Sequence, residues 1–162
     1  MHKSRNPKPK VSLPRAIRVN QIVSLDLRKS NIEGAGPWIL YMMDMFSRFR
    51  MGFFIPNKEA ATVVDKLITS WIRLIGPPDV LHLDNGTEFI NEEMKTLCDA
   101  MNIKYTTTAS KTPNANRIME KNHYVTDIML SKMLSADKSL RKSPEVALSW
   151  ALAASNSLDN VS

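Results

Sequence analysis

The chain has 162 residues, 43% hydrophobic and 23% charged, with a formal net charge of +6. That size and balance fit one globular domain with a real core; no apolar stretch nears the roughly 20 residues that span a membrane, and the N-terminus Met1-His2-Lys3-Ser4-Arg5 lacks the apolar run of a secretory signal. Cys98 is the only cysteine, which excludes an internal disulfide or a cysteine-based zinc site, fits a reducing compartment, and reads as a small buried residue on a helix.

The positive charge is localised. Residues 1–20 carry Lys3, Arg5, Lys8, Lys10, Arg15 and Arg18, no acid, and Pro7, Pro9 and Pro14. The remaining 16 basic residues match the 16 acidic ones. Residues 1–20 therefore read as an extended basic, Pro-rich arm or linker, able to bind phosphates or serve as a nuclear address, with a formally neutral domain over 21–160.

Residues 21–28 alternate and predict a strand, with Asp26 read on the same face as Val23, Leu25 and Leu27. A carboxylate facing a core should be paired or bound to metal. Residues 30–37 hold two glycines and a proline and predict a hairpin loop. The apolar run 38–43 predicts a buried strand, 44–48 a turn, and 51–56 a third strand stopped by Pro56. Asn57 is expected to cap a helix with Ala61, Val64, Leu67, Ile68, Trp71 and Leu74 on its apolar stripe, ended by Gly76-Pro77-Pro78. Asp79–Leu83 predicts a fourth strand that delivers Asp84 at its end. Asn91 starts a second helix to Met101, with Met94, Leu97, Cys98 and Met101 inward, and residues 103–108 predict a fifth strand. A polar loop over 109–116 leads to a long helix from about 115 to 134, and Pro144 opens another to about Asn156. The order βββαβαβαα implies an α/β fold, a mixed five-stranded sheet flanked by helices.

Three acids stand out. Asp26 lies in a strand, Asp84 opens Asp84-Asn85-Gly86-Thr87-Glu88-Phe89, and Glu120 follows after 35 intervening residues within Pro113-Asn114-Ala115-Asn116-Arg117-Ile118-Met119-Glu120-Lys121-Asn122. Singly they are weak: Asp-Asn-Gly is a common turn, and a helical Glu is usually solvated. Together they suggest a divalent metal site of the kind that carries phosphodiester chemistry.

These motifs, with the segment Tyr41-Met42-Met43-Asp44-Met45-Phe46-Ser47-Arg48, resemble the catalytic core of retroviral and LTR-retrotransposon integrases, most of all metazoan retrotransposon polyproteins, within the RNase H-like superfamily. The resemblance implies an RNase H-like fold, with Asp26, Asp84 and Glu120 as catalytic ligands of two Mg²⁺ (or Mn²⁺) ions. It implies 3′-end cleavage of DNA followed by strand transfer, with DNA and a second copy of the chain as partners, action in the nucleus, and no membrane. Lys111, Asn116, Arg117, Lys121, His123 and Tyr124 are the candidate DNA contacts. Asp44 is a rival first acid, read here as capping the turn toward Ser47 and Arg48. His82 is read as structural. The helices over 62–75 and 144–156 supply either a dimer interface or core. Arg117 departs from the family's Gly, which raises the alternative of a decayed or host-adopted copy acting only as a DNA-binding or oligomerisation module. A separate alternative is an RNase H-type nuclease, against which the block Asp84–Phe89 and the 35-residue gap favour the integrase reading.

Overall fold

The computed structural model describes residues 15–83, 89–107, 126–136 and 143–158. Three strands, β1 (Ile22–Lys29), β2 (Trp38–Asp44) and β3 (Arg50–Ile55), form an antiparallel meander. Helix α1 follows, built from Ala60–Leu67, a π-helical turn Ile68–Ile72 and Arg73–Ile75. Then come β4 (Val80–Leu83), α2 (Glu92–Met101) and β5 (Lys104–Thr107), with β4 parallel to β1 and β5 parallel to β4. Residues 126–136 form helix α3 and Pro144–Leu158 form α4. The sheet order β3-β2-β1-β4-β5 places β1 at the centre. This is the mixed five-stranded sheet that the sequence predicts.

Alternation on the central strands divides the core in two. Val23, Leu25, Leu40, Met42, Leu81 and Leu83 face one side, where α1 (Val63, Val64, Leu67, Trp71) and α2 (Met94, Leu97, Cys98) cover them. Ile39, Tyr41 and Phe54 face the other, under Leu130 of α3 and Ala147, Leu148, Ala151 and Leu152 of α4. Gly52 lets α4 approach: a Cβ there would stand 3.0 Å from Leu152 Cδ1 and 3.1 Å from Tyr41 Cδ1. Asn156 of α4 closes the edge of β3 by imitating a strand. Its Oδ1 accepts from Arg50 N at 2.9 Å and its Nδ2 donates to the Arg50 carbonyl at 3.0 Å.

One residue stitches the lower end of the sheet. Asn20 sits at φ 63°, the left-handed region that Asn tolerates better than most residues. Its Oδ1 accepts from Nε1 of the fully buried Trp71 at 2.9 Å, and its Nδ2 donates to the carbonyls of Gly76 and Pro77 at 3.2 and 3.3 Å. Its backbone N–H donates to Asp44 Oδ1 at 2.9 Å. Thus the entry to β1, the exit of β2 and the end of α1 meet on one residue, the first two through its backbone and the last through its side chain.

The structure corrects several sequence expectations. Glu59, not Asn57, is the N-cap position of α1. Asn57 Oδ1 instead accepts from Glu59 N at 3.0 Å and Thr62 Oγ1 at 2.6 Å, bracing the approach to the helix. Leu74 is 71% exposed, because the π-helical turn before it rotates the apolar stripe. The expected helices near the C-terminus are present: 126–136 is helical among the described residues, and Pro144–Leu158 matches the helix expected from Pro144 to about Asn156. Asp26 does not share a face with Val23, Leu25 and Leu27; it alternates with them and lies with Ser24 and Arg28.

Candidate metal centre

Asp26 occupies the middle of the central strand and is only 7% exposed. It lies opposite Tyr41 of β2 in the antiparallel register. On the other flank, Leu25 is in register with Leu83, the last residue of β4. The residue before Asp26 and the residue before Asp84 therefore stand side by side. The carboxyl end of a central parallel strand is where open α/β sheets bind ligands.

The side chains around Asp26 are charged and polar. Arg28 Nε lies 3.9 Å from Asp26 Oδ2, and Arg28 Nη1 donates to Asp127 Oδ2 of α3 at 2.9 Å. The Tyr41 phenol is pushed well above its ordinary range, first by burial and then by the Asp127 carboxylate; Arg28 opposes this and Asp26 adds to it. Further down the same face, Ser24 is in register with His82, and His82 Nδ1 is 2.9 Å from Thr106 Oγ1. His82 is buried in β4, as the structural reading of it expects.

Tyr41 gives a pH test with a definite sign. Its folded pKa exceeds the unfolded value of about 10, so its contribution is fully present below pH ~10 and is lost as pH rises further. Urea titrations between pH 8 and 11 should show the parent losing stability faster than Tyr41→Phe above pH ~10. Parallel loss in the two proteins would contradict the burial of this phenol.

Asp44, the rival acid, is engaged elsewhere. Its Oδ2 accepts from Ser47 N at 2.7 Å and Ser47 Oγ at 2.6 Å, and its carbonyl accepts from Arg48 N at 2.9 Å. With Asn20 N on Oδ1, both carboxylate oxygens are occupied in a turn at the far end of β2. Cys98 is buried on α2, where burial and the Asp99 carboxylate raise its thiol pKa.

Asp84, Glu120, Lys111, Asn116, Arg117, Lys121, His123 and Tyr124 lie outside the described residues. Among the described residues no three His, Cys, Asp or Glu side chains come together as a metal site; only one of the three proposed acids is among them. What is described fits a hard divalent cation: a buried carboxylate on the central strand, beside the strand that leads into a second acid. Sequence reasoning missed Arg28 and Asp127. Arg28 was accessible through its period-two spacing from Asp26, whereas nothing local points to Asp127, 99 residues away from Arg28.

Comparison with known proteins bears on this arrangement. A family model described as integrase core domain matches residues 16–113, more than half of the chain. The chain is 23% identical over 154 residues to the Pol-related polyprotein of mouse intracisternal A-particle MIA14, covering 94% of the chain and 18% of the relative. It is 24% identical over 106 residues to the retrovirus-related Pol polyprotein from transposon 412 of Drosophila melanogaster, covering 65% of the chain and 9% of the relative. The chain thus spans less than a fifth of the curated relatives that it matches. Among solved structures, the catalytic core domain of HTLV-2 integrase in complex with magnesium, in its dimeric form, superposes with a TM-score of 0.70 at 20% identity, over 85% of this chain and 87% of that one. The fold is accordingly RNase H-like. Fold and family model agree, and the chain belongs to the integrase core domain family of retroviruses and retrotransposons.

Proposed function

We propose that this domain is a metal-dependent polynucleotidyl transferase that cleaves DNA 3′ ends and joins them to target DNA. The observation that carries the reading is Asp26, buried on the central strand beside the end of β4, one residue short of Asp84. Asp26, Asp84 and Glu120 would hold two Mg²⁺ or Mn²⁺ ions. When bound, such ions activate the attacking oxygen and stabilise the leaving one. The protein's part is to supply the three carboxylates, Asp26 from the central strand, and to present the DNA strand to them. Lys111, Asn116, Arg117, Lys121, His123 and Tyr124 are proposed to hold that strand, and the basic arm over 1–20 to add contacts to the phosphates. Action on chromosomal DNA implies a nuclear site. The experiment is strand cleavage and joining on oligonucleotide duplex ends with Mn²⁺. Arg117→Gly, which restores the family residue, separates the active reading from the decayed one. Activity that appears only in Arg117→Gly would mark this copy as decayed.

We also propose that the domain self-associates through α4. Trp150 is 58% exposed and Val146, one turn before it, is 46% exposed, an apolar pair on the outer face of the helix. The similar HTLV-2 core, described in dimeric form, supports the reading. Trp71, by contrast, is core and is unavailable to a partner. Sedimentation should show an associating parent and a monomeric Trp150→Glu variant; equal association of both would refute α4 as the interface.

A further inference from the structure

The Arg28 guanidinium stands between two carboxylates and is committed to one of them. At 2.9 Å its Nη1 makes a charge-assisted hydrogen bond to Asp127 Oδ2. At 3.9 Å its Nε is too far from Asp26 Oδ2 for a hydrogen bond. The difference matters because alternation fixes Arg28 on the same face as Asp26, two residues along β1. A guanidinium fork matches a carboxylate well and would close on the nearest one available to it. Closed on Asp26, it would occupy the oxygens that a divalent cation needs and would repel that cation. Asp127 comes from α3, a separate element, and supplies a compensating charge at a different nitrogen of the guanidinium.

We propose that Asp127 is a positioning residue that draws the Arg28 guanidinium away from Asp26 and neutralises it, so that the guanidinium does not compete with the metal for the Asp26 carboxylate. The inference rests on the reading of Asp26 as a metal ligand. It makes the two partners of one ion pair opposite in effect, which a purely structural tether between β1 and α3 would not do. Releasing Arg28 by Asp127→Asn weakens metal binding. Removing the guanidinium as well restores it.

The test is calorimetric titration of the full chain with Mn²⁺, alongside thermal melting without metal, for the parent, Asp127→Asn, Arg28→Gln, the double variant and Asp26→Asn. Because the pair is partly exposed and screened, Asp127→Asn should weaken Mn²⁺ binding by about three- to tenfold. Arg28→Gln should bind as tightly as the parent or more so, and the double variant should return to the Arg28→Gln value. In melting without metal, Asp127→Asn should lose less than Arg28→Gln, since the released guanidinium still has Asp26 to pair with, whereas Arg28→Gln takes the cation from both carboxylates. Equal weakening of Mn²⁺ binding by both single variants, with no recovery in the double, would show a tether and overturn the inference while leaving the metal site standing. Mn²⁺ affinity unaffected by Asp26→Asn would overturn the metal-site reading and the inference with it.

Discussion

Asp26→Asn should reduce divalent-dependent strand cleavage and joining by at least ~100-fold while leaving the fold intact. Loss of groups that merely orient metal ligands already costs about 10- to 100-fold in affinity or activity, and a charged ligand contributes more. The substitution keeps the shape of the side chain but removes the charge. Because Asp26 is buried, a neutral amide is easier to desolvate there, so thermal stability without metal should hold or rise. The metal-induced rise in melting temperature should shrink, since a ligand stabilises a protein only by binding its folded state. Asp44→Asn is the informative contrast. Asp44 is more deeply buried, and its oxygens receive Asn20 N, Ser47 N and Ser47 Oγ. An amide nitrogen on either oxygen's position would face a donor. Asp44→Asn should therefore lower stability and keep metal-dependent activity. The reverse pattern, with Asp26→Asn active and Asp44→Asn dead at matched stability, would assign the first acid to β2.

Asn20→Ala should destabilise the domain by about 3 kcal/mol. It strips the acceptor from the buried Trp71 indole, which costs about 1–3 kcal/mol for an unsatisfied donor. It removes the links to the Gly76 and Pro77 carbonyls. It also leaves a Cβ-bearing residue without local compensation at φ 63°, worth roughly 1–2 kcal/mol. The backbone bond to Asp44 survives in the variant. Asn20→Asp keeps an acceptor for the indole but places a carboxylate against the two carbonyls, so it should fall between parent and Ala. Equilibrium urea unfolding gives these differences directly; a loss below ~1 kcal/mol for Asn20→Ala would show that water replaces the side chain at no great cost.

Much of this fold is written in local periodicity. The alternation in 21–28 and the apolar run in 38–43 match β1 and β2; both strands are buried, and the alternation in β1 marks an apolar face of Val23 and Leu25 against a polar strip of Ser24 and Asp26. Asn91 caps α2 as expected, its Oδ1 accepting from Met94 N at 3.0 Å. What escaped local reading depends on geometry that forms only on folding. Leu74 fits the helical stripe on paper, but five residues of π-helix displace it. Asn20 looks like the end of a linker and is a junction of three elements. The face of Asp26 was readable from the strand period and was misassigned to Val23, Leu25 and Leu27; its actual companions, Ser24 and Arg28, make it part of a polar strip rather than an isolated charge in an apolar core. The proposed site rests on the motif around Asp84 and the spacing to Glu120, both read from sequence; the structure adds that β4 lies in register beside β1, so that Asp26 and Asp84 each follow one of two neighbouring residues, Leu25 and Leu83.

The central claim is that Asp26 and Asp84 share a divalent cation. Its most direct test is a calorimetric titration of Mg²⁺ into the parent and into Asp84→Asn, with melting temperatures recorded at each end point. On that claim the three carboxylates would repel one another without metal, so Asp84→Asn should melt higher than the parent in its absence, bind Mg²⁺ weakly or not at all, and gain less from it. Equal Mg²⁺ affinities and equal thermal shifts in the two proteins would contradict the account.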